Sequence, residues 1–268
     1  MLKRHFLLSA LLSVVMPLSL SGEAAAAEAT AGKGKILMVV ASPAQNAMGW
    51  PVGFWASELT HPYAELTHAG YSVEIASPKG GEVAVDAYSD PRHESGYSAH
   101  DFVSLGFLTS PKTAPLLKNT KALDSVNDKD YAAIIVAGGQ APMFTFRDNA
   151  TLQGLLRNFY ESGRPTAALC HGVSALVDVK TSKGEYLVKG KKVTGFSLAE
   201  DEFADKAVGA KLFTWNVETA LKERGAKYSQ AGMWADYAVA DKNLITGQQQ
   251  NSGRSVARLV MQQLANKK

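Results

Sequence analysis

Apolar residues along this chain fall into short runs bounded by turn residues, and the runs differ in period. The β-branched runs at 35–41 (KILMVVA), 72–76 (SVEIA), 132–137 (AAIIVA), 166–169 (TAAL), 192–196 (KVTGF) and 243–246 (NLIT) predict strands. Runs as continuous as IIVA suit a parallel sheet covered on both faces. Between them, 57–69, 152–162, 217–224 and 252–265 carry helical patterns. The last of these places apolar residues at 256, 259, 260 and 264 on one face. Gly70, Gly163 and Gly225 stand where glycines close helices. The alternation predicts an α/β doubly wound sandwich, flavodoxin-like, with a mostly parallel central sheet and helices on both faces. Residues 79–115 fit this poorly. They carry Asp90-Pro91, Gly96 and Ser110-Pro111, and are read as a lid-like insertion over one end of the sheet.

The beginning of the chain has a different pattern. Lys3 and Arg4 precede an apolar run at 6–20, interrupted by serines and Pro17, and Ala25-Ala26-Ala27 fits a small-x-small cleavage site. The run is short for a spanning helix, which needs about 20 residues. Residues 1–27 therefore predict a cleaved secretory signal peptide, with an uncleaved anchor as the alternative, 28–34 a flexible N-terminus, and 35–268 one α/β domain. The expected destination is a bacterial periplasm or the exterior, with no membrane attachment after cleavage.

Composition changes the picture little. Lys+Arg is 28 against 25 Asp+Glu, a formal charge of +3, so no nucleic-acid partner is expected. One count matters more: the chain has 1 cysteine, which excludes an intrachain disulfide and a cysteine-rich zinc site.

That residue, Cys170, ends the strand 166–169 and is followed by His171 and Gly172. Ligands of open α/β sheets bind at the carboxyl ends of strands. A nucleophile there sits on a tight elbow needing small neighbours, and Ala168 and Gly172 meet that need. A following helix start favours thiolate, and the His171 N–H is placed to stabilise an oxyanion. The competing reading is a small buried Cys closing a core strand.

Of the histidines at 5, 61, 68, 93, 100 and 171, none follows His171, so papain-type and glutamine-amidotransferase triads in their usual form are not expected. Carboxylates that can pair with His171 lie at Glu200, Asp201 and Glu202, which also read as a solvated acidic cluster. His93, Glu94, His100 and Asp101 match no zinc signature, and no metal is predicted. Glu58 falls in the first turn of a helix, four residues before Pro62, where proline is tolerated. A carboxyl that lay beside a thiolate in a buried cleft would stay protonated and could shuttle protons. Otherwise it merely answers the helix dipole.

Several motifs recur together. They are 53–63 (GFWASELTHPY), 69–81 (AGYSVEIASPKGG), 86–91, 136–139 (VAGG) with Met143-Phe144 and Asp148-Asn149, 168–172 (ALCHG), 193–197 (VTGFS) with acids after it, and 244–248 (LITGQ). In this order the chain resembles the DJ-1/PfpI superfamily, and within it the branch typified by heat-shock protein 31 and glyoxalase III-like proteins. The resemblance implies a homodimer, Cys170 as nucleophile with His171 beside it, and Glu58 bonded to the sulfur. Asp201 matches the third triad acid, with Glu200 as fallback. Gly138, Gly139 and Gly172 are implied as oxyanion or substrate-binding positions. Two departures stand out: Gly138-Gly139-Gln140-Ala141-Pro142 where the branch has Gly-Gly-His-Gly, and 247–252 (GQQQNS) where it has Gly-Gln-Asn-Pro-Ala-Ser. Both are expected to face the site. The activity implied is cofactor-independent conversion of small 2-oxoaldehydes, methylglyoxal to lactate. A holdase chaperone or redox-sensing stress protein using the same cysteine is the alternative, and a small-substrate amidase or peptidase a weaker one.

Overall fold

A computed structural model of the protein describes residues 32–266. The expected signal segment and residues 28–31 lie outside the described residues. Lys33 and Gly34 are already tied to the core, through the Lys33 N–H to Gly70 O and the Ser72 N–H to Gly34 O.

The central sheet has seven strands, labelled here in chain order: β1 (Lys35–Val39), β2 (Ser72–Ser77), β3 (Lys121–Ala122), β4 (Ala133–Val136), β5 (Thr166–Leu169), β6 (Ala238–Asp241) and β7 (Leu244–Gly247). Their spatial order is β6-β7-β5-β4-β1-β2-β3. Every pairing is parallel except β6 with β7, an antiparallel hairpin turned at Lys242, whose φ is 55°. The helices are α1 (Ala56–His68), α2 (Phe102–Thr109), α3 (Ala150–Glu161), α4 (Leu198–Val208), α5 (Val217–Glu223) and α6 (Gly253–Ala265). Among the described residues no helix is long and apolar enough to cross a membrane.

The near-continuous apolar strands are explained by two cores, one on each face. Ile36, Met38, Ile135 and Ala167 point to a core shared with α1, α2 and α6. Their neighbours Leu37, Val39, Ile134, Val136 and Ala168 point to the other, shared with α3 and α5. Strand side chains alternate faces, so a strand covered twice must be apolar throughout. Each large side chain so buried contributes roughly 1.5–3 kcal/mol.

Three expectations need correction. The run 192–196 does not enter the main sheet. Only Lys192–Val193 is extended, paired in parallel with Lys227–Tyr228 as a separate ribbon. Beyond it the Thr194 N–H is taken by Thr246 Oγ1, and the chain turns to set Phe196 against His171. The hairpin partner β6 and the acid-rich helix α4 were not predicted. Finally, Pro62 lies well inside α1 rather than at its start. Its ring is buried against α6 at Gly253, where a Cβ would stand 3.0 Å from Pro62 Cδ.

The segment 79–115 is anchored rather than loose. Asp86 Oδ1 accepts the Gly53 N–H at 2.8 Å, and Ser89 Oγ accepts the Ala56 N–H at 3.0 Å. Helix α2 joins α1 through Thr60 and Ser104 hydroxyls 2.7 Å apart and through Tyr63 stacked edge-on to Phe107.

Candidate active site

The chain builds outward from β1 first to β2 and β3, then reverses to β4, β5 and β7. Such a reversal opens a crevice at the carboxyl ends of the strands. The turns after β4 and β5 meet there: Gly138 and Gly139 follow the first, Cys170 the second. Cys170 has φ 57°, a left-handed backbone rare for a residue with a Cβ. The residues from Cys170 to Leu176 form a wholly buried 3-10 helix of 7 residues, so the helix start expected after the strand is of the tighter kind. The elbow works because its neighbours lack side chains. A Cβ on Gly172 would lie 2.6 Å from Ala137 O, and one on Gly138 would lie 2.8 Å from Cys170 Cβ and from Glu58 Oε2.

Glu58, in the first turn of α1, is fully buried behind the cysteine. Its Oε2 accepts the Gly138 N–H at 2.7 Å, while Oε1 has no fixed partner. Burial raises its pKa to about 8; the Cys170 hydrogen bond and the Gly138 N–H only partly offset this. Glu58 is thus a neutral acid at pH 7, able to donate toward sulfur.

Burial also pushes the Cys170 thiol up, and the Glu58 charge pushes it further. This corrects the expectation of a thiol lowered by a helix start: desolvation outweighs the short turn's dipole. The N–H groups of His171 and Gly139 oppose the rise by favouring negative charge on sulfur. While Glu58 keeps its proton, no charge on it opposes a thiolate at Cys170.

His171 connects the cysteine to α4. Its Nδ1 lies 3.8 Å from Cys170 Sγ, and its Nε2 lies 2.9 Å from Asp201 Oδ1. With Asp201 accepting, the Nε2 nitrogen carries the hydrogen and Nδ1 turns a lone pair to the thiol. Phe196 and Phe213 hold the ring, with centroids at 4.1 and 4.8 Å. Asp201 is in place because α4 starts where it does. Ser197 caps the helix and Glu200 returns the bond, a reciprocal capping box that puts Asp201 in the first turn. Glu200 faces away, accepting the Gln248 side-chain amide at 2.9 Å and the Trp234 N–H at 3.0 Å. The acidic run at 200–202 is therefore partly buried and committed, not a solvated cluster, and Ser197-x-x-Glu200 was the signal that marked it.

A cavity of about 490 Å³ opens onto Cys170, His171, Asp201, Gly139 and Gln140. Gly139, at φ 107°, lines it. Gly138 and Gly172 do not: the first gives its N–H to Glu58, the second packs under Ala137. Asp86, unassigned in the sequence reading, fixes this wall, since its two oxygens hold the N–H groups of Gly53 and Gln140. Burial raises Asp86 to about 6. Among the described residues no three His, Cys, Asp or Glu side chains converge to hold a metal ion. His93 instead bonds Ser95, and Asp101 bonds His61 at 2.8 Å.

Residues 110–263 match the DJ-1/PfpI family. The chain belongs to this family. It is 30% identical over 216 residues to the glutathione-independent glyoxalase HSP31 of Saccharomyces cerevisiae, covering 78% of this chain and 87% of the relative. It is 28% identical over 248 residues to the glutathione-independent glyoxalase hsp3101 of Schizosaccharomyces pombe, covering 85% and 94%. Its fold is similar to that of the 24 kDa rapid encystment protein of Francisella tularensis, with TM-score 0.78 and 34% identity over 86% of this chain and 99% of that one.

Against the DJ-1/PfpI pattern, the two departures behave differently. Gln140 lines the cavity and leaves its buried Oε1 unpartnered. In the second, only Gln250 lines the cavity. Gln248 and Gln249 are buried struts that hold Glu200, the Ala231 N–H and the Ala235 carbonyl. The aromatic walls of the cavity were not legible along the chain, because their rings are scattered from Trp50 to Trp234 with no common spacing.

Proposed function

We propose that this protein is a glutathione-independent glyoxalase that converts small 2-oxoaldehydes to 2-hydroxy acids through Cys170. One observation carries the reading: the chain's single thiol is set against a buried carboxyl that keeps its proton to about pH 8, at the floor of a cavity. The names of the relatives support it.

In this scheme His171 Nδ1 takes the thiol proton. The sulfur then adds to the aldehyde carbon, and the N–H of Gly139 supports the developing oxyanion. Glu58 protonates that oxygen to complete a hemithioacetal. Its carboxylate then takes the hydrogen from the former aldehyde carbon while protonated His171 gives its proton to the ketone oxygen, so an enediol forms and His171 is again neutral. Glu58 returns that proton to the neighbouring carbon and takes the hydroxyl proton from the sulfur-bearing carbon, which gives a thioester. Water, activated by His171, releases the hydroxy acid and frees the thiol. Methylglyoxal plus water equals lactate, so the sequence balances without glutathione, nicotinamide or metal. Asp201 orients His171 and acts only through it.

The direct test is lactate formation from methylglyoxal by purified protein without glutathione. No turnover on any 2-oxoaldehyde, together with suppressed aggregation of a client protein, replaces this reading with a chaperone. Two further parts of the proposal rest on sequence and family. Residues 1–27 are removed on export, so protein from the native host should begin near Glu28; a cytosolic product beginning at Met1 sinks this. The mature chain is a homodimer, which sedimentation equilibrium checks.

A further inference from the structure

The cavity is built for more than a three-carbon aldehyde. Two lines of aromatic rings leave the reactive end and run to the surface. One starts at His171 and passes through Phe196, Trp234 and Phe203, with centroid separations of 4.1, 5.9 and 5.7 Å. The other starts at Trp55, whose N–H donates to Gly138 O, and continues to Tyr97 and Tyr88 at 5.9 and 6.1 Å. Both lines end on open rings: Phe203 is 53% exposed, Tyr97 58% and Tyr88 52%. A volume of about 490 Å³ lies within the range of sites that enclose drug-sized ligands.

The backbone at Trp234 is a second, independent observation. Its φ is 61°, a conformation that a bulky side chain avoids. It is held there by buried Glu200, which accepts the Trp234 N–H at 3.0 Å, and by Asn251, whose amide donates to the Trp234 carbonyl at 2.8 Å. Among the described residues with a Cβ, Cys170 and Trp234 are the two left-handed ones that line the cavity. Strain of this kind persists only where surrounding bonds enforce it, and it gathers at ligand clamps.

We propose that the preferred substrates are 2-oxoaldehydes carrying an aryl or bulky apolar group on the ketone carbon, held between the Trp234 and Trp55 walls. This rests on the glyoxalase reading of Cys170. Burying a ring of this size is expected to raise kcat/KM over methylglyoxal by roughly ten- to a hundredfold. Phenylglyoxal and cyclohexylglyoxal are the probes, the second controlling for the electronic effect of an aryl group. Both should exceed methylglyoxal, and Trp234→Ala and the exposed Phe203→Ala should each lower the ratio of bulky to small substrate. Equal or lower kcat/KM for both bulky aldehydes, or ratios untouched by both substitutions, overturns the proposal while leaving the glyoxalase reading standing. An enzyme inert to all three aldehydes sinks that reading instead. Calorimetry on Cys170→Ala then decides the cleft's role: mandelate should bind at least tenfold tighter than lactate, and equal binding overturns it.

Discussion

Glu58 and Cys170 are buried side by side, and the proton on each sets the reactivity of the site. Glu58 must be protonated to donate and the thiol ionised to attack. As pH rises through about 8, Glu58 loses its proton and its charge repels the thiolate. kcat/KM should therefore decline above pH 8. In Glu58→Gln that alkaline decline should vanish and the rate at pH 7 should fall by roughly 10²–10⁴, the usual worth of a placed acid/base. A pH–rate profile of both proteins checks the two outcomes together. Cys170→Ala should have no turnover, since the chain holds no second thiol. Gly138→Ala tests packing at the same spot. Its methyl group must displace Cys170, Glu58 or the Gly172 nitrogen, each 2.8 Å away. It should cost about 1–3 kcal/mol in urea denaturation and most of the activity. Cys170 and His171 were legible as residues because rare side chains fell at a strand end, whereas the place of Glu58 beside the sulfur came from the resemblance. The direction of the thiol's pKa was not legible, because it depends on how deeply the elbow is buried.

At the level of elements, the third acid is a product of where α4 begins. Ser197 Oγ accepts the Glu200 N–H, and Glu200 Oε2 accepts the Ser197 N–H at 3.1 Å. Ser197→Ala should destabilise the protein by about 1 kcal/mol, the typical worth of an N-cap. It should also lower kcat, because Asp201 loses its fixed position against His171. Asp201→Asn should cost less rate than Glu58→Gln, since Asp201 only orients a ring already held by two phenylalanines. Urea midpoints and kcat for the three variants check this order. The capping box was present in the sequence, where the acids at 200–202 read either as partners for His171 or as a solvated run. The run 192–196 misled. Its β-branched residues suit a strand, yet only Lys192 and Val193 pair, and Gly195 packs so closely on Val217 and Val173 that a Cβ there would stand 2.9 and 3.2 Å from them.

For the whole molecule, buried acids make stability depend on pH in two windows of opposite sign. Glu58 at about 8 and Asp86 at about 6 hold protons more tightly folded than unfolded. Their contribution is full in acid and is lost as pH rises, between 4.5 and 8 for Glu58 and between 3.8 and 6 for Asp86. Each group can impose a slope of up to about 1.4 kcal/mol per pH unit within its window. Asp101 acts the other way. Burial alone would raise it, but His61 and Ser104 hydrogen bonds hold it at about 2, so its contribution is present above 3.8 and lost below. Urea midpoints from pH 5 to 8 should fall for the wild type, and the fall should be shallower for Glu58→Gln. Equal slopes would mean that Glu58 is not buried as a neutral acid.

The sequence by itself determined the mostly parallel α/β sheet, the four helices with clear periodicity, and a lone cysteine at a strand end. These follow from local rules: side-chain alternation, helical period and the backbone freedom of glycine. Tertiary structure decided which acid meets His171, why Gly138 serves Glu58 rather than an oxyanion, and how aromatic rings from distant segments enclose one cavity. Those outcomes depend on distances between residues far apart in the chain and on burial, which sets the protonation of Glu58. Neither quantity has a period or a spacing to be read along the chain.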